Sequence, residues 1–484
     1  MTGPAVVHPA SQYLNPAVLG LLPGHHVYLD GTLELSHGAI ARRPIDAATG
    51  EPTSGGAGRP SPEEQLLAPY PTFFFGAASD LGLDSVVVGL AVHNPMGAHV
   101  SFLRGANAGR FDPASQGPLR YHATDLTAFH VFVTPAAAIK LLDQLSLGIS
   151  FSYVFGLMDL GFVRDAALDG GQHRQASEYT ALDDCGGGRA CGYEADAAAE
   201  GVRVRGTSNA VAFSVGLAAR PHRRLTLGAA YHSPVIGLSG QGLSARGSAW
   251  IRRATSTYDN ARSGGLAAPR ACTDGSSPPC RELEGRGTVN YALPDMVTLG
   301  GTLQATRSLL LALQLRWINY SRHDQLDVRL TGAELRHEPE VPERVVHYRG
   351  FRGVFAAEVG ASYRATARLE LQGGVLVESA AVPSELVTPL AIDAFKVDLL
   401  LAARLRLWAG LSVQLGYNLV AMPPIDVDRS AFRPAIMVEC VDRGLDMDLE
   451  VCQAASRGQG LPSAAGRYQL LQHRLGLGLA YDVD

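Results

Sequence analysis

The chain has 484 residues, a net charge of −5 and 54 glycines, and only 18% of its residues are charged. This acidic balance gives no indication of a nucleic-acid partner. No uninterrupted apolar run of about 18 residues is present, so no transmembrane helix is predicted. Tracts rich in glycine, proline and serine separate short apolar stretches, a pattern typical of many strands joined by turns.

The first residues, MTGPAVVHPA, lack the basic and apolar regions of an export signal. Either the numbering starts at a processed form or the chain is cytosolic. The stretch that follows, SQYLNPAVLG at residues 11–20, contains Asn15, Pro16 and Ala17. Proline denies the backbone a donor and asparagine tolerates unusual dihedral angles, so we expect a fixed, non-helical turn here.

Alternation with a period of two recurs downstream, most clearly in residues 145–157, LSLGISFSYVFGL. Its odd positions are apolar and its even positions are mainly small or polar, which predicts a β-strand with one apolar face. A soluble β-sandwich is one interpretation. Segments of about ten residues or more, joined alternately by short turns and long loops, favour a membrane-spanning barrel. A closed barrel also leaves no unpaired strand edge in the bilayer.

We predict an all-β fold, a 14-stranded antiparallel transmembrane barrel with both termini on the periplasmic side. The predicted strands lie near residues 26–40, 70–79, 84–94, 120–136, 145–159, 201–219, 224–236, 286–305, 308–321, 350–363, 368–379, 393–406, 410–422 and 467–483.

Six cysteines fall into three close pairs within polar tracts. The pairs are Cys185 with Cys191, Cys272 with Cys280, and Cys440 with Cys452. Local pairing of this kind predicts small disulfide-closed loops in an oxidising compartment, which favours export over a cytosolic location. The alternative is a zinc site, but no pair has a CxxC spacing or a neighbouring histidine. The pairs follow predicted strands five, seven and thirteen, so all three belong to outer loops.

No catalytic constellation is visible in the sequence. GLSGQG at residues 237–242 does not satisfy G-x-S-x-G, and the glycines of GLGLAY belong to a terminal strand rather than the start of a helix. We therefore predict no enzyme activity, no cofactor and no metal site.

Several short segments occur in a characteristic order along nearly the whole chain. They are Asn15-Pro16-Ala17, VVVGLAVHNPMG at 86–97, LTLGAAYHSPV at 225–235, LPDMVTLGGTLQ at 293–304, LRWINYS at 315–321, GFRGVFAAEVGASY at 350–363 and the closing HRLGLGLAYDV. As a set they resemble the FadL/TodX family, the outer-membrane transporters of long-chain fatty acids and other hydrophobic compounds.

The resemblance implies that residues 1–23 form a hatch that plugs the lumen from the periplasmic side, and that residues 24–484 form the barrel. It implies that Asn15, Pro16 and Ala17 help to close the substrate route beside a kink in the third strand, where the wall opens sideways. An ordinary turn is the alternative. The outer loops at about 161–200 and 236–285 are implied to form the initial landing groove.

The third predicted strand contains Gly89 and is followed by Pro95 and Gly97. We assign these three residues to the lateral opening, with Gly89 as the candidate for the kink, because glycine inside a strand often marks a bulge. A glycine placed only for packing would give the same pattern.

Arg352 shares its parity with the small and polar positions of the tenth strand, so it is predicted to point into the lumen. The resemblance implies a basic residue here near the bound head group, and arginine offers a bidentate fork to a carboxylate. The alternative is a structural ion pair with Glu358, Glu370 or Glu378.

The expected function is passive outer-membrane transport of hydrophobic molecules through a hatch-gated barrel with a lateral exit. The expected partners are hydrophobic small molecules (fatty acids, detergent or lipid) together with outer-membrane lipid and lipopolysaccharide, and the barrel is expected to act as a monomer. Two alternatives stay open: a structural or adhesive barrel with a permanently plugged lumen, and a general porin for polar solutes.

Overall fold

Antiparallel strands make up most of the chain that the computed structural model describes. The described residues are 2–43, 63–102, 119, 122–165, 199–238, 242–253, 281–332, 344–408, 410–428, 430–431 and 464–483. The cysteines predicted to form disulfides lie outside them, so their pairing stays a prediction. These are Cys185, Cys191, Cys272, Cys280, Cys440 and Cys452.

The described strands form one 21-stranded sheet. In chain order they are β1 (His25–Arg42), β2 (Glu63–Ser79), β3 (Val86–His93), β4 (Gly97–Ser101), β5 (Asp125–Leu142), β6 (Leu145–Asp165), β7 (Ala199–His222), β8 (Leu225–His232), β9 (Ile236–Gly237), β10 (Leu243–Arg253), β11 (Arg281–Tyr291), β12 (Met296–Gln304), β13 (Leu309–Ile318), β14 (Gln325–Thr331), β15 (Arg344–Tyr348), β16 (Val354–Arg364), β17 (Leu369–Glu378), β18 (Lys396–Trp408), β19 (Leu411–Ala421), β20 (Ile425–Val427) and β21 (Gly466–Val483). Short 3-10 helices occupy Pro9–Tyr13, Pro16–Leu21, Tyr320–Arg322 and Ser384–Leu386.

These strands make 14 passes around a closed barrel, because several passes are interrupted. The following strands are successive parts of the same interrupted pass: β3 and β4; β8, β9 and β10; β11 and β12; β13 and β14; β15 and β16; and β19 and β20. The cylinder closes where β1 pairs with β21 along its whole length, from His25 opposite Val483 to Arg42 opposite Gly466. The predicted 14-stranded antiparallel barrel is therefore confirmed. Among the described residues, no helix is long and apolar enough to cross a bilayer.

The two faces of the wall explain the alternation in the sequence. In β6, the outward-facing Ile149 is 58% exposed, whereas the neighbouring Ser150 faces inward and is 8% exposed. Outward-facing leucines, valines and phenylalanines recur on most passes, and in a bilayer they contact acyl chains. The small inward-facing residues leave room for a filled lumen.

The wall extends farther outward than predicted. β6 continues to Asp165, β7 begins at Ala199, and β10 and the start of β11 lie within the predicted loop 236–285. On this outer part of β7 the outward face carries Arg203 and Arg205. Beyond the hydrocarbon layer a strand needs no apolar face, so the alternation that predicted the strands ends before the strands do.

Candidate functional site: the lumen, its hatch and a break in the wall

The segment before β1 fills the end of the lumen that carries the short turns. Ala17, Val18 and Leu19 are completely buried, and Leu19 packs against Val87 of β3 and Ala138 of β5. Both 3-10 helices begin with proline, whose fixed dihedral suits a first helical position. Short turns mark the periplasmic end in barrels of this kind, so this segment occupies the place expected of the hatch.

Asn15 ties the hatch together and to the wall. Its Oδ1 accepts a hydrogen bond from the Ala17 backbone N–H at 3.0 Å, which caps the second helix. Its Nδ2 donates to the carbonyl oxygens of Pro4 at 2.7 Å and of Leu217 in β7 at 3.0 Å. The resemblance placed this turn beside the third strand. Its hydrogen bond to the wall goes instead to β7.

Glycines in the wall allow the hatch to approach closely. They are Gly89, Gly148, Gly216 and Gly228, in β3, β6, β7 and β8, and we name them the glycine seat. A Cβ atom built at any of the four would overlap a hatch atom, for example at 2.6 Å from the Pro4 carbonyl carbon for Gly228. Backbone atoms of the hatch lie this close at Gly148 and Gly228, so these two positions require glycine, whereas at Gly89 and Gly216 the nearest hatch atoms belong to side chains.

Gly89 is therefore not the kink that the sequence predicted. It lies in an unbroken ladder, opposite Ala78 of β2 and Ala136 of β5. A Cβ there would come within 2.5 Å of the Gln12 side chain and 2.8 Å of Leu19. The residue faces the hatch.

The third pass is interrupted at residues 94–96, between β3 and β4. β3 pairs with both β2 and β5, whereas in the described part of the chain β4 pairs only with β5. No ladder joins the outer part of β2 to β4 among these residues. Pro95 lies within this wall break, Gly97 begins β4, and both are exposed.

Aromatic rings cover the inner side of the wall break. The ring of Tyr13, from the hatch, lies 5.7 Å from Phe74 and 5.5 Å from His93, measured between centroids. Phe132 of β5 packs against His93 at 5.5 Å. Since Tyr13 belongs to the hatch and the other rings to the wall, movement of the hatch would uncover the wall break from inside.

The prediction that Arg352 points into the lumen stays a prediction. Arg352 is exposed and precedes β16, which begins only at Val354, so the parity of that strand does not set the direction of its side chain. Two carboxylates proposed as its partners bind elsewhere: Glu358 accepts from Gln314 and Glu378 pairs with Lys396 at 2.9 Å.

Glu370, the third candidate partner, also bonds to other residues. It accepts hydrogen bonds from Ser362 at 2.5 Å and from Gln372 at 2.7 Å. The structural ion pair considered for Arg352 is therefore absent with all three carboxylates.

The buried cation of this region is Arg349. It is 9% exposed, and its Nη1 donates to His323 Nε2 at 2.8 Å. His323 can accept because its Nδ1 donates to the Ala292 carbonyl at 2.5 Å. The guanidinium also lies 5.4 Å from the centroid of Phe351. In the described part of the chain, its side-chain hydrogen bond is to a histidine and no carboxylate forms an ion pair with it.

The outer half of the lumen is lined by apolar side chains. One cluster contains Phe162, Leu160 and Leu326, and another joins Ile40 and Leu66 to residues 381–391. Residues 379–395, between β17 and β18, therefore fold inward rather than outward. Lys396 fastens this segment, with Nζ 2.5 Å from Asp393 and 2.9 Å from Glu378.

A cavity of about 990 Å³ lies against the arc of the wall from β17 through β21 to β2. Small or polar side chains line it on the lumen side: Thr32, Gln372, Ala402, Gly416 and Gly476. A Cβ at Gly416 would meet no atom closer than 4.0 Å, so the space beside it is open. The cavity also reaches Pro71 and Thr72 of β2, which flank the wall break.

A family model described as outer membrane protein transport protein (OMPP1/FadL/TodX) matches residues 5–391. The chain belongs to the FadL/TodX family. It is accordingly a transporter of hydrophobic compounds in the outer membrane of Gram-negative bacteria, and it is not an enzyme. No curated protein sequence is significantly similar to it.

Solved structures of this family share the fold. A FadL homologue from Pseudomonas aeruginosa superposes with a TM-score of 0.70 at 16% identity, covering 98% of this chain and 94% of that one. The Pseudomonas putida toluene transporter TodX gives a TM-score of 0.62 at 13% identity, covering 99% and 96%. The Ralstonia pickettii toluene transporter TbuX gives 0.59 at 14% identity, covering 99% and 94%.

Proposed function

We propose that this FadL/TodX protein moves hydrophobic molecules passively from its outer lumen to the wall break and releases them sideways into the bilayer. The hatch closes the direct route to the periplasm and, through Tyr13, the inner side of the wall break. The observation that carries this proposal is the wall break at residues 94–96, faced on the inside by a hatch residue.

The energetics require no covalent step. Transfer of apolar surface from water to an apolar lining is favourable by roughly 25 cal/mol per Å². The apolar clusters of the outer lumen offer such a lining, and the exterior of the wall break continues it, since Phe73 and Phe129 lie 6.4 Å apart on that face. A hydrophobic molecule can therefore pass from lumen to acyl chains without entering water.

For the cargo we propose molecules with a long apolar chain and an anionic head group. Arg349 supports this choice, since it is a buried guanidinium without a carboxylate partner among the described residues. A buried charge is costly unless it is paired, and a cargo carboxylate would supply the pair. An aromatic hydrocarbon, the cargo named for TodX and TbuX, is the second candidate.

Hatch gating can be tested by tethering the hatch to the wall. A Cβ at Gly20 would lie 2.8 Å from the Cβ of Ser146, so a Gly20→Cys/Ser146→Cys pair needs a shift of about 1 Å to form a disulfide. We expect oxidation of this pair to slow uptake of a radiolabelled long-chain fatty acid at least tenfold, as an order of magnitude, and a reductant to restore it. Equal uptake rates with the cysteine pair oxidised and reduced would show that the hatch does not gate transport.

The porin alternative is tested with the same protein in liposomes. A general porin would let sugars enter and swell the vesicles, with the hatch free or tethered. We expect no swelling in either state, because the hatch closes the axial route and sugars gain nothing from an apolar lining. Swelling with the free hatch would indicate an axial pore and contradict lateral transport.

A further inference from the structure

The side chain of Asn94 sits at the point where the third pass of the wall is interrupted. It is 1% exposed. Its Oδ1 accepts a hydrogen bond from the Phe73 backbone N–H at 2.6 Å, and its Nδ2 donates to the Pro71 carbonyl at 3.1 Å. Its backbone N–H donates to the Phe73 carbonyl at 3.3 Å. One residue thus makes three hydrogen bonds to β2.

The register shows what these bonds replace. Phe74 lies opposite His93, so Phe73 is the next partner of Asn94. In a continued antiparallel ladder, the Phe73 N–H would donate to the backbone carbonyl of Asn94, and the Pro71 carbonyl would accept from the N–H of Met96. The amide side chain supplies both groups. It acts as a substitute peptide unit across the wall break.

The facing edge of β2 suits such a substitute. Residues 71 and 73 direct their backbone groups to the same side, because the strand has a period of two. Pro71 has no N–H, so only its carbonyl needs a partner there, and Asn94 provides it. Pro69 repeats the arrangement one step farther out. At that level β2 and β4 are in contact through side-chain packing rather than backbone hydrogen bonds, since a Cβ at Gly97 would overlap the Tyr70 hydroxyl.

The opposite side of the wall break is anchored separately. His130 of β5 donates from Nδ1 to the Met96 carbonyl at 3.2 Å, while its Nε2 accepts from the Tyr291 hydroxyl at 2.7 Å. The residues after Asn94 are therefore held to β5, and the contact that can open is the one between Asn94 and β2.

We propose that the Asn94 side chain seals the wall break and, by the ease with which its two amide bonds open, sets the width of cargo that leaves sideways. This inference rests on the proposed lateral exit. A neutral amide can release and remake these bonds without exposing a charge to the bilayer. Each ordinary hydrogen bond is worth about fivefold in an equilibrium, so loss of both favours the open wall about 25-fold.

The test compares wild type with Asn94→Ala and Asn94→Leu. Leucine keeps the side-chain volume without the hydrogen bonds, which separates sealing by bonding from sealing by bulk. Asn290→Ala is the matched control, because it removes an asparagine whose side chain accepts from Ser244 at 2.7 Å between β10 and β11 rather than bonding to β2. Folded barrels are selected by their heat-modifiable mobility on gels.

Two measurements are made on each folded variant. The first is amide hydrogen exchange of Phe73, which needs no cargo. The second is the ratio of uptake rates for a bulky polycyclic hydrophobe and an unbranched fatty acid of similar apolar area. For both Asn94 variants we expect faster Phe73 exchange by about fivefold or more and a rise in the uptake ratio of about 25-fold. The control should change neither.

The outcomes separate this inference from the proposed function. Unchanged Phe73 exchange in Asn94→Ala overturns the seal, whatever the route of transport. A wild-type uptake ratio in Asn94→Leu shows that bulk, not hydrogen bonding, selects the cargo, and overturns the inference. Faster Phe73 exchange with an unchanged ratio of uptake rates overturns width selection by Asn94. The gated route is tested separately, and it is overturned if the Gly20→Cys/Ser146→Cys disulfide has no effect on uptake.

Discussion

Gly148 of β6 lies directly against the backbone of Ala17, where a Cβ atom would come within 2.6 Å of the Ala17 Cα. Backbone cannot move aside as a flexible side chain can. Gly148→Ala should therefore displace the hatch and destabilise its docking by about 1–3 kcal/mol. Limited proteolysis of the hatch from the periplasmic side measures this. Gly373→Ala is the control, because its Cβ would meet only ordinary contacts at 3.8 Å, and equal protection of both variants would contradict the prediction.

Asn15→Ala removes the cap on Ala17 and the bonds to Pro4 and Leu217. We expect a loss of about 1–3 kcal/mol in hatch docking, since buried partners are left without hydrogen bonds. Asn15→Asp keeps the acceptor for the Ala17 N–H but loses both donated bonds. If the cap alone mattered, the aspartate would behave like wild type in the proteolysis assay, and we expect that it does not.

His8 makes hatch docking sensitive to acid. Burial, with a smaller effect from the charge of Arg404, lowers its pKa from 6.5 to about 3. The docked hatch therefore holds a neutral imidazole, whose ring meets Tyr28 at 4.8 Å. Its contribution is present above pH 6.5 and declines as the pH falls from there toward 3. Hatch proteolysis across this range should rise on acidification in wild type.

His8→Asn is the control for the acid effect. Asparagine can still accept the hydrogen bond that His8 Nδ1 receives from the Ala10 N–H at 3.1 Å, but it does not titrate. The protection of the hatch from proteolysis should change less between pH 6.5 and 4 in this variant than in wild type. A profile identical to that of wild type would assign the acid response to another group.

Arg349 and Arg352 form a natural pair for testing head-group binding, since one is buried and the other exposed. We expect Arg349→Met to weaken binding of a fatty acid at least about tenfold, the loss of a charge-assisted hydrogen bond. Arg352→Met should leave binding unchanged. Isothermal titration in detergent with the acid and its methyl ester measures both, and an equal loss for the ester would point to packing rather than charge.

The cysteine pairing stays a prediction that mass spectrometry can settle. Without reduction, the denatured protein should take up no alkylating reagent, and after reduction it should take up six equivalents, one per cysteine. Peptide mapping should then link each cysteine to its near neighbour. Uptake of reagent before reduction would favour free thiols or a metal site in the outer loops.

The barrel could be predicted because the bilayer imposes period two on every pass that crosses it. Leu147 and Ile149 alternate with Gly148 and Ser150, and this pattern sets strand, face and register together. The same signal disappears at Arg203, whose charged side chain interrupts the apolar outward face. Strand ends and loop lengths were therefore predicted less well than the number of strands.

The site was harder to predict because its residues depend on partners distant in sequence. A glycine inside a strand, as at Gly89, suggests a kink. In the structure Gly89 lies against the hatch, which only the position of Gln12 reveals. Arg352 was placed by the parity of its predicted strand, but β16 begins only at Val354, so parity does not decide where its side chain points. Asn94 was predicted only as the last residue of the third strand, because its role needs the register of β2.

Pro69 and Pro71 have a consequence beyond transport. An interrupted wall exposes part of the β2 edge, and exposed edges are templates on which other chains add strands. An edge that has lost alternate donors cannot form a regular ladder with a newcomer. The wall can therefore stay interrupted at this point without a strand of a neighbouring copy adding to the β2 edge.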